Sequence, residues 1–396
     1  MMRENSMKSD EPIGQTTAVV ADTLYDGTGS PPVHDVAIVL EGGMIASVCP
    51  VGRLPGNVEI MARAAIAIPG MIDLQINGGG GVLFNDEPTP EALEKMAAAA
   101  RKGGTAFILP TYITAHGQGF ADAMEAVEKA IAMGVPGILG IHLEGPFLSP
   151  KRPGIHPRDA IRPIGNEDIA VLSRDIGGPR LITLAPEEAP DGSIRELCNS
   201  GAIVFAGHSE ASFEDMEKAA GEGISGATHL FNAMSQIAGR APGLVGAVLD
   251  NDRLYAGIIA DGVHVHQANL RLAAHSLGPD RLCLVTDAMS TLGTALESFD
   301  LLGKQIFLRD GRLVDMNGTL AGAHIALDEC LRNMMRFTGI NAAEAVQMAT
   351  SAPAHAVGLG ATLGRVASGY RAALTLMDED FKAVSVVIDS KLYPST

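Results

Sequence analysis

The stretch AIVFAGHSEASFEDMEKAAGEGISGATHLFN (202–232) decides the fold, because it contains a complete strand–helix–strand unit. AIVFAGHS at its start and GATHLFN at its end are apolar runs of strand length that finish in polar residues, and SFEDMEKAAGEG between them has the pattern of an amphipathic helix. A parallel α/β fold brings the carboxyl ends of such strands to one edge. His208 and His229 are therefore predicted to lie close together at that edge.

Six further apolar runs of strand length lie on either side of this unit and alternate with helical segments. The helical segments include PEALEKMAAAARKG (90–103), ADAMEAVEKAIAMG (121–134) and HIALDECLRNMMRFTG (324–339). Eight strand–helix units predict a closed (β/α)8 TIM barrel of the α/β class, with a doubly wound open sheet as the alternative. The six further runs are IAIPGMIDLQING (66–78), AFILPTYIT (106–114), ILGIHLEGP (138–146), LITLAPE (181–187), LYAGIIADGVH (254–264) and LCLVTDAM (282–289).

Short β-like runs with Gly and Pro turns occupy both ends of the chain. Two unrelated β extensions are one interpretation, but the ends of a barrel lie close enough together for both segments to build one domain. We therefore predict a small β-sandwich domain built from residues 16–67 plus 358–396. The metal-dependent catalytic barrel is predicted over 68–357, and residues 1–15 are predicted to form a polar tail.

Charge and composition exclude several classes of protein. Lys and Arg total 29 against 46 Asp and Glu, a formal charge of −17, and no basic stripe of the kind that binds nucleic acid is visible. An anionic substrate would therefore need a local cationic anchor.

The four cysteines form no CxxC pair, which favours buried thiols over a disulfide framework. No apolar run approaches the roughly 20 residues that span a bilayer and no cleavable signal opens the chain, so we expect a cytoplasmic protein with no membrane partner.

Polar residues end several of the apolar runs, where a parallel barrel builds its active site. Glu144 ends the third run two residues after His142, and His208 and His229 end the fifth and sixth runs. Two imidazoles and a carboxylate form a ligand set for one divalent cation and leave a position open for water. A lone histidine is usually a packed core residue, but three such residues at strand ends favour a metal site over a structural polar network.

Asp287 and His264 are the candidates for moving a proton and polarising a carbonyl group. Asp287 ends the eighth run, where it would act as a general base and then return the proton, although an N-cap is an ordinary use of Asp. His264 follows ADG in the seventh run and would donate a hydrogen bond to an oxygen that becomes negative. His266, two residues further on, is interpreted as a structural histidine.

Arg240, Asn232 and His156 are candidate contacts for a phosphorylated sugar. Arg240 in GRAPG would fork onto a phosphate, although a loop arginine is usually just solvated. Asn232 precedes backbone amides that would bind the same anion, and His156 in KRPGIHP would contact a sugar hydroxyl.

NGGGG (77–81) lacks the GK[ST] ending of a nucleotide loop, so we interpret it as a turn. The other histidines that we interpret as structural are His34, His116, His275 and His355.

Nine motifs between about Pro69 and Gly322 resemble, in the same order, those of the N-acetylglucosamine-6-phosphate deacetylases of the amidohydrolase superfamily. They are IDLQING, HLEGPFLSP, APE, GHSEA, THLFNAM, GRAPGLVGAVLD, IADGVHV, VTDAM and GTLAG. The resemblance implies a (β/α)8 barrel with a small β-domain that hydrolyses the acetamide of a sugar phosphate to an amine and acetate. It further implies a homodimer in which the neighbouring subunit completes the phosphate site.

The resemblance also implies a role for each matching residue. Glu144, His208 and His229 are similar to the metal ligands of the family. Asp287 is similar to its general base and acid, and His264 to the histidine that polarises the carbonyl and binds substrate. The remaining substrate contacts that the resemblance implies are His156, Asn232, Ala233, Arg240 and Leu320.

The first barrel strand departs from the superfamily pattern of His-x-His, which binds a second metal. This chain has Gln75 and Asn77 there, and its fourth run has no lysine to bridge two metals. Amides are poor ligands for zinc or iron, so we predict one divalent ion per subunit, with zinc preferred and iron or another divalent ion as alternatives. Gln75 and Asn77 stay candidates for holding a water or a weak second ion. His324 follows the LAG turn, where it would either crowd the acetyl pocket or contact substrate.

Three alternatives stay open from the sequence. N-acetylgalactosamine-6-phosphate deacetylation and cyclic-amide hydrolysis would use the same barrel and ligand set. Arg240 favours a phosphorylated substrate but does not report the orientation of a sugar hydroxyl. An inactive metal-binding scaffold is the third alternative, and the intact set of ligands and base disfavours it.

Overall fold

The computed structural model describes residues 16–395, so the predicted polar tail at 1–15 lies outside the described residues. The first four strands follow the β-like runs predicted near the N-terminus and begin the small domain. They are β1 (Thr17–Leu24), β2 (Val33–Glu41), β3 (Met44–Pro50) and β4 (Glu59–Pro69), with a 3-10 helix at Val51–Arg53 between the last two.

Eight parallel strands follow β4, and their order in the sheet is their order in the chain, which confirms the predicted barrel over the doubly wound alternative. They are β5 (Met71–Ile76), β6 (Thr105–Ile113), β7 (Ile141–Glu144), β8 (Arg180–Leu184), β9 (Ile203–Ala206), β10 (Gly226–Ala227), β11 (Tyr255–Ile259) and β12 (Leu282–Val285). A short hairpin of Gly78–Gly79 and Val82–Leu83 follows β5, and a 3-10 helix, Pro186–Glu188, follows β8.

A helix separates each barrel strand from the next, as the alternating pattern predicts. The seven helices between consecutive strands are α1 (Pro90–Lys102), α2 (Gly119–Ala132), α3 (Asn166–Leu172), α4 (Ser193–Asn199), α5 (Phe213–Glu222), α6 (Gly243–Asp250) and α7 (Gln267–Leu277). Their apolar faces and both faces of the strands share one apolar core. A parallel sheet covered in this way reads as continuous apolar runs, which is the pattern seen in the sequence.

Helix α5 shows how the opening stretch folds locally. Ser212 caps the helix by accepting a hydrogen bond from the Asp215 N–H, and the Asp215 carboxylate accepts from the Ser212 N–H in return. Gly223 ends the helix at φ 119°, a left-handed backbone that glycine adopts without steric cost. The helix predicted over 212–223 is therefore observed with one residue fewer at each end.

The first and last barrel strands close the barrel at a hydrogen-bonded seam. The N–H of Asp287 donates to the carbonyl of Gln75 at 2.8 Å. The Asp73 carboxylate of β5 accepts from the hydroxyl group of Thr286 at 2.5 Å and from its N–H at 3.2 Å. The seam therefore sets Gln75 on one strand beside Asp287 on the other, at the carboxyl end of the barrel.

An antiparallel sheet that the strand–helix pattern does not predict follows the eighth barrel strand. It consists of β13 (Ser298–Leu301), β14 (Lys304–Arg309) and β15 (Arg312–Val314). Its side chains pack on Ile113 and Met289 at the mouth of the barrel, in a core cluster of their own. The helices α8 (Leu327–Thr338), α9 (Ala342–Ala349) and α10 (Ser351–Ala356) then complete the outer layer.

The chain finally returns to the small domain, as predicted from the two β-rich termini. The last strands are β16 (Ala373–Met377), β17 (Ala383–Ile388) and β18 (Lys391–Pro394). They join the first four in one seven-stranded sheet with the order β18-β17-β16-β4-β1-β2-β3. Pairing is antiparallel except between β1 and β4. Apolar residues from both ends of the chain, including Ile38 and Leu374, form its separate core.

Two further expectations concern the membrane and the cysteines. Among the helices within residues 16–395, none is long and apolar enough to cross a bilayer. In the same range the four cysteines are unpaired, with Cys283 and Cys330 buried and Cys49 and Cys198 half-buried. Two of the four thiols are therefore buried as predicted, and the other two are partly exposed.

Candidate active site

A cavity of about 400 Å³ opens at the carboxyl ends of the barrel strands, where parallel barrels build their active sites. All the candidate site residues except Gln75, Arg240 and His324 line it. The complete lining consists of Asn77, Ile113, Glu144, Gly154, Ile155, His156, His208, His229, Asn232, Ala233, Ile259, His264, Asp287, Met289, Gly318, Thr319, Leu320 and Gly322.

Glu144, His208 and His229 converge at the floor of this cavity. The Oε1 atom of Glu144 lies 3.1 Å from His208 Nε2 and 2.9 Å from His229 Nε2, and the two Nε2 atoms lie 3.1 Å apart. All three side chains are buried. Burial opposes ionisation of Glu144, but the two adjacent imidazoles hold the pKa of its carboxyl group well below the usual range.

The chemistry of these three atoms fits a divalent cation. His208 Nδ1 faces the carbonyl of Arg152 at 2.9 Å, and since a carbonyl only accepts, Nδ1 carries the proton and Nε2 carries a lone pair. His229 Nε2 supplies at most one proton to the two atoms that face it, the Glu144 oxygen and the His208 lone pair. Two ligand atoms each ~2.1 Å from one cation lie about 3.0 to 3.4 Å apart, which matches the observed spacing.

The backbone of the site is strained at the residues that follow the strands. The φ angles of His208, His229 and Asp287 are 49°, 33° and 51°, in the left-handed region that residues with a Cβ rarely adopt. Ala233 has a φ of 46°. Such conformations persist where the surrounding structure holds them, and they concentrate at functional sites.

Asp287 follows β12 and is linked to Glu144 by an amide. Gln75 Nε2 donates to Asp287 Oδ1 at 3.2 Å and to Glu144 Oε2 at 3.3 Å. Asn77 Nδ2 donates to the same Asp287 oxygen at 2.6 Å. Burial and the negative charge of Glu144 raise the pKa of Asp287 to about 6, although His229 and the other neighbours oppose the shift. This carboxylate is thus suited to accept a proton near neutral pH.

His264 and Asp261 form a carboxylate–imidazole pair at the end of β11. His264 Nδ1 lies 2.6 Å from Asp261 Oδ2, and both side chains are largely buried. Burial opposes ionisation of Asp261, but the hydrogen bond with His264 lowers the pKa of the Asp261 carboxyl group overall. The sequence analysis predicts a role for His264 but none for Asp261. The spacing D-x-x-H is the signal for it, because it allows the carboxylate to reach both the backbone of the turn after β11 and the imidazole ring.

His156 lies beside the cluster as well as in the cavity wall. Its ring packs on His208 with centroids 4.3 Å apart, and one of its nitrogens lies within 4.8 Å of ligand atoms of Glu144 and His208. Its Nδ1, however, is 2.8 Å from the Thr114 hydroxyl group, and burial together with His208 lowers its pKa to about 3. His229, at 2.9 and 3.1 Å from the other two ligand atoms, completes the set more closely.

The predicted sugar-phosphate contacts divide into two groups. Asn232, Ala233 and Leu320 line the cavity, and Asn232 Nδ2 donates to the carbonyl of His229 at 3.1 Å. Arg240 lies exposed in the loop between β10 and α6, outside the lining of this cavity. The structure therefore does not bring Arg240 to the other predicted contacts within one chain.

Three other histidines have structural partners. His142 Nε2 and Nδ1 lie 2.7 Å from the Thr183 hydroxyl group and 3.2 Å from that of Thr111, on the neighbouring strands, and burial lowers its pKa to about 4. His266 caps α7 by accepting from an N–H, as its structural interpretation predicts. His324 Nδ1 lies 2.9 Å from the Thr291 hydroxyl group and is not among the residues that line the cavity.

Barrel hydrolases that act on amides hold their ligands and their proton-transferring group on different strands around one mouth. The candidate ligands and the candidate base of this chain have this arrangement, which is typical of metal-dependent hydrolases. It belongs to the amidohydrolase family, whose model matches residues 66–393.

Named relatives match nearly the whole chain. An N-acetylglucosamine-6-phosphate deacetylase from Haemophilus influenzae is 37% identical over 363 residues, which are 91% of this chain and 95% of that protein. An N-acetylgalactosamine-6-phosphate deacetylase from a Shewanella species is 41% identical over 325 residues, 82% of each chain. The crystal structure of N-acetylglucosamine-6-phosphate deacetylase from Pasteurella multocida has a TM-score of 0.91 at 37% identity and covers 96% of this chain and 100% of that one.

Proposed function

We propose that the chain hydrolyses the acetamide of N-acetyl-D-glucosamine 6-phosphate to D-glucosamine 6-phosphate and acetate, a reaction of amino-sugar catabolism. The observation that carries this proposal is the convergence of Glu144, His208 and His229 on one point, with the Asp287 carboxylate beside them. A 37% identical deacetylase that aligns over 91% of the chain supports the choice of substrate.

The three converging side chains are the proposed ligands of one divalent cation per subunit. Zinc is the proposed metal, because two imidazoles and one carboxylate suit it, and iron is the alternative that the same ligands accept. When bound, such a cation polarises a carbonyl oxygen and lowers the pKa of a water. The amides of Gln75 and Asn77 hold Asp287 in place, so they support the base and do not complete a second metal site.

Asp287 is the proposed general base and acid. Its carboxylate accepts a proton from the attacking water as the new C–O bond forms at the acetyl carbon. It then gives that proton to the sugar nitrogen as the C–N bond breaks, which yields the amine and acetic acid. The second water proton, still on the carboxyl group, passes to the amine, so that the products leave as the ammonium form of the sugar and acetate. His264 faces the same cavity and is the proposed donor to the carbonyl oxygen, on which negative charge develops.

His156, Asn232, Ala233 and Leu320 are the proposed contacts for the sugar phosphate, because they line the same cavity as the base. Arg240 is the proposed cationic anchor of the phosphate. Arg240 lies outside the cavity of its own chain. We therefore propose a homodimer in which this loop brings Arg240 to the cavity of the neighbouring subunit. The proposed location of the dimer is the cytoplasm. Sedimentation equilibrium that yields a monomer with full activity would remove this part of the proposal.

The test is purification without chelator, followed by metal analysis and an assay for release of a primary amine. N-acetylglucosamine 6-phosphate is expected to be turned over with about one metal per chain. N-acetylgalactosamine 6-phosphate is the matched alternative substrate, because the Shewanella relative named for it is 41% identical. A larger kcat/KM for the galacto epimer would reassign the substrate. Tight metal retention without turnover of either epimer would instead favour the inactive scaffold.

A further inference from the structure

We infer that Asp261 is a positioning residue that holds His264 as a doubly protonated imidazole, with its Nε2–H available to the carbonyl oxygen of the substrate. The inference rests on the proposed function, in which His264 donates to that oxygen. It goes further by assigning the charge state of the donor and naming the group that maintains it. Asp261 itself does not line the cavity.

The two carboxylate oxygens of Asp261 have separate partners. Oδ1 accepts from the N–H groups of Val263 and His264, both at 2.8 Å, and so forms the turn that ends β11. Oδ2 faces His264 Nδ1 at 2.6 Å. The turn therefore needs only Oδ1, and the second oxygen is left for the imidazole.

The short contact fixes which nitrogen carries the first proton. The side chains of Asp261 and His264 are only 12% and 8% exposed, so the pair is largely removed from water. An ionised carboxylate only accepts, so His264 Nδ1 is protonated and Nε2 is the nitrogen that remains for the cavity. A neutral ring in this tautomer would present a lone pair to the carbonyl oxygen and repel it. A donor at Nε2 therefore requires the second proton, and the buried negative charge of Asp261 stabilises that cationic form.

The turn is also anchored from outside the barrel. Gly262 has a φ of 74°, and a Cβ placed on it would lie 3.1 Å from the ring of Phe337 on α8. Since both the backbone and the carboxylate are held, the imidazole has little freedom to leave the cavity wall. Preorganised donors of this kind cost little reorganisation when charge develops on the substrate.

Asp261→Asn separates the two roles of the carboxylate. Asparagine keeps Oδ1 for the turn, but its amide nitrogen cannot accept from His264 Nδ1. The test compares Asp261→Asn, His264→Asn and the double variant in the metal-loaded enzyme with N-acetylglucosamine 6-phosphate. Asp378→Asn is the matched control, because Asp378 accepts two backbone N–H groups in a turn of the small domain.

His264→Asn is expected to lower kcat by about 10²- to 10³-fold, the usual effect of losing one such donor. Asp261→Asn is expected to lower kcat by at least ~10-fold with KM nearly unchanged. The double variant should be no slower than His264→Asn, because the effects of substituting two residues that act as a unit do not add. Metal content should stay at the wild-type value throughout. Full activity of Asp261→Asn beside an impaired His264→Asn would overturn the inference, and so would losses that multiply in the double variant.

A second measurement does not depend on turnover. In the metal-loaded protein labelled with ¹⁵N-histidine, both ring nitrogens of His264 are expected to show the shifts of protonated nitrogens, and Asp261→Asn should abolish that pattern. The His264→Asn variant identifies the signal. A wild-type His264 signal with one unprotonated nitrogen would overturn the inference even if deacetylation is observed. Conversely, a cationic His264 in a protein that turns over neither epimer would leave the inference standing and remove the proposed function.

Discussion

The Nε2 atoms of His208 and His229 lie 3.1 Å apart, and both lie within 3.1 Å of the same oxygen of Glu144. The Arg152 carbonyl fixes the proton of His208 on Nδ1, which leaves a lone pair on His208 Nε2. With neutral rings, the two Nε2 atoms and the Glu144 oxygen therefore share at most one proton. A cation satisfies all three at once. This relationship makes metal binding the first property to measure.

Replacing His229 with Asn is expected to remove the metal. The variant loses one of three ligands, so its metal content after dialysis should fall to below about one tenth of the wild-type value, and the added thermal stability that zinc confers should disappear with it. His34→Asn is the matched control, since His34 is an exposed histidine of the small domain. Full metal content in His229→Asn would show that another group, with His156 the first candidate, is the third ligand.

Asp287→Asn is expected to lower kcat by at least ~10²- to 10⁴-fold while the metal is retained. Asparagine cannot take up the proton of the attacking water, yet its side chain fits the space between Gln75 and Asn77. Turnover and metal analysis on the same preparation separate the two effects. Near-normal turnover in this variant would rule out Asp287 as the base.

The rate should also fall on the acid side of neutrality. The pKa of Asp287 is raised to about 6 by burial and by the charge of Glu144, and a base acts only when ionised. Activity is therefore expected to be lost as the pH falls through about 6. A bound cation opposes the charge of Glu144 and so does not raise the pKa of Asp287 further, which means that the loss should not begin above that value. The measurement is log kcat against pH with metal content checked at each point. A loss of activity that starts at pH 7 with the metal still bound would contradict this assignment.

Much of the fold and of the floor of the site could be predicted, because buried parallel strands read as unbroken apolar runs and their ends carry the chemistry. The candidate site residues Glu144, His208, His229 and Asp287 can be predicted in this way, since each stands where an apolar run stops. The small domain followed from the matching character of the two termini. These features depend on residue type and spacing, which are visible in a sequence.

The parts that could not be predicted depend on contacts between distant backbone segments. The carbonyl that orients His208 belongs to Arg152, and any residue offers a carbonyl there. The sheet of β13 to β15 has short strands with mixed exposure, so its pattern is weak in the sequence. Arg240 resembles a phosphate contact by position, but the fold leaves it exposed and away from its own cavity.

Arg152 leads to a prediction about metal affinity. Its guanidinium group pairs with Glu210 through two nitrogens, and its carbonyl accepts from His208 Nδ1 at 2.9 Å. Gly154 lies so close that a Cβ there would be 3.0 Å from the His208 ring. The loop is thus fastened on both sides of the ligand. Arg152→Ala is expected to weaken zinc affinity by about 10- to 100-fold, as is usual for groups that orient a ligand.

A competition titration with a chelator measures this change. Lys151→Ala is the matched control, because Lys151 is the exposed neighbour in the same loop and its carbonyl does not contact His208. The control should retain wild-type affinity. Equal affinities for Arg152→Ala and the wild type would show that the carbonyl keeps its place without the ion pair.

The barrel seam leads to a prediction that joins stability to catalysis. Thr286 donates its hydroxyl to the Asp73 carboxylate at 2.5 Å, both residues are buried, and Asp287 is the next residue in the chain. Thr286→Val keeps the shape of the side chain but leaves a buried carboxylate without one of its donors, which costs about 2 kcal/mol. The melting temperature should therefore fall by several degrees, while Thr362→Val, at an exposed turn, should leave it unchanged.

Because the seam also sets the position of Asp287 against Gln75, kcat should fall more than KM rises. A variant that is less stable but has wild-type kcat would show that β5 and β12 hold the base in place without this hydrogen bond.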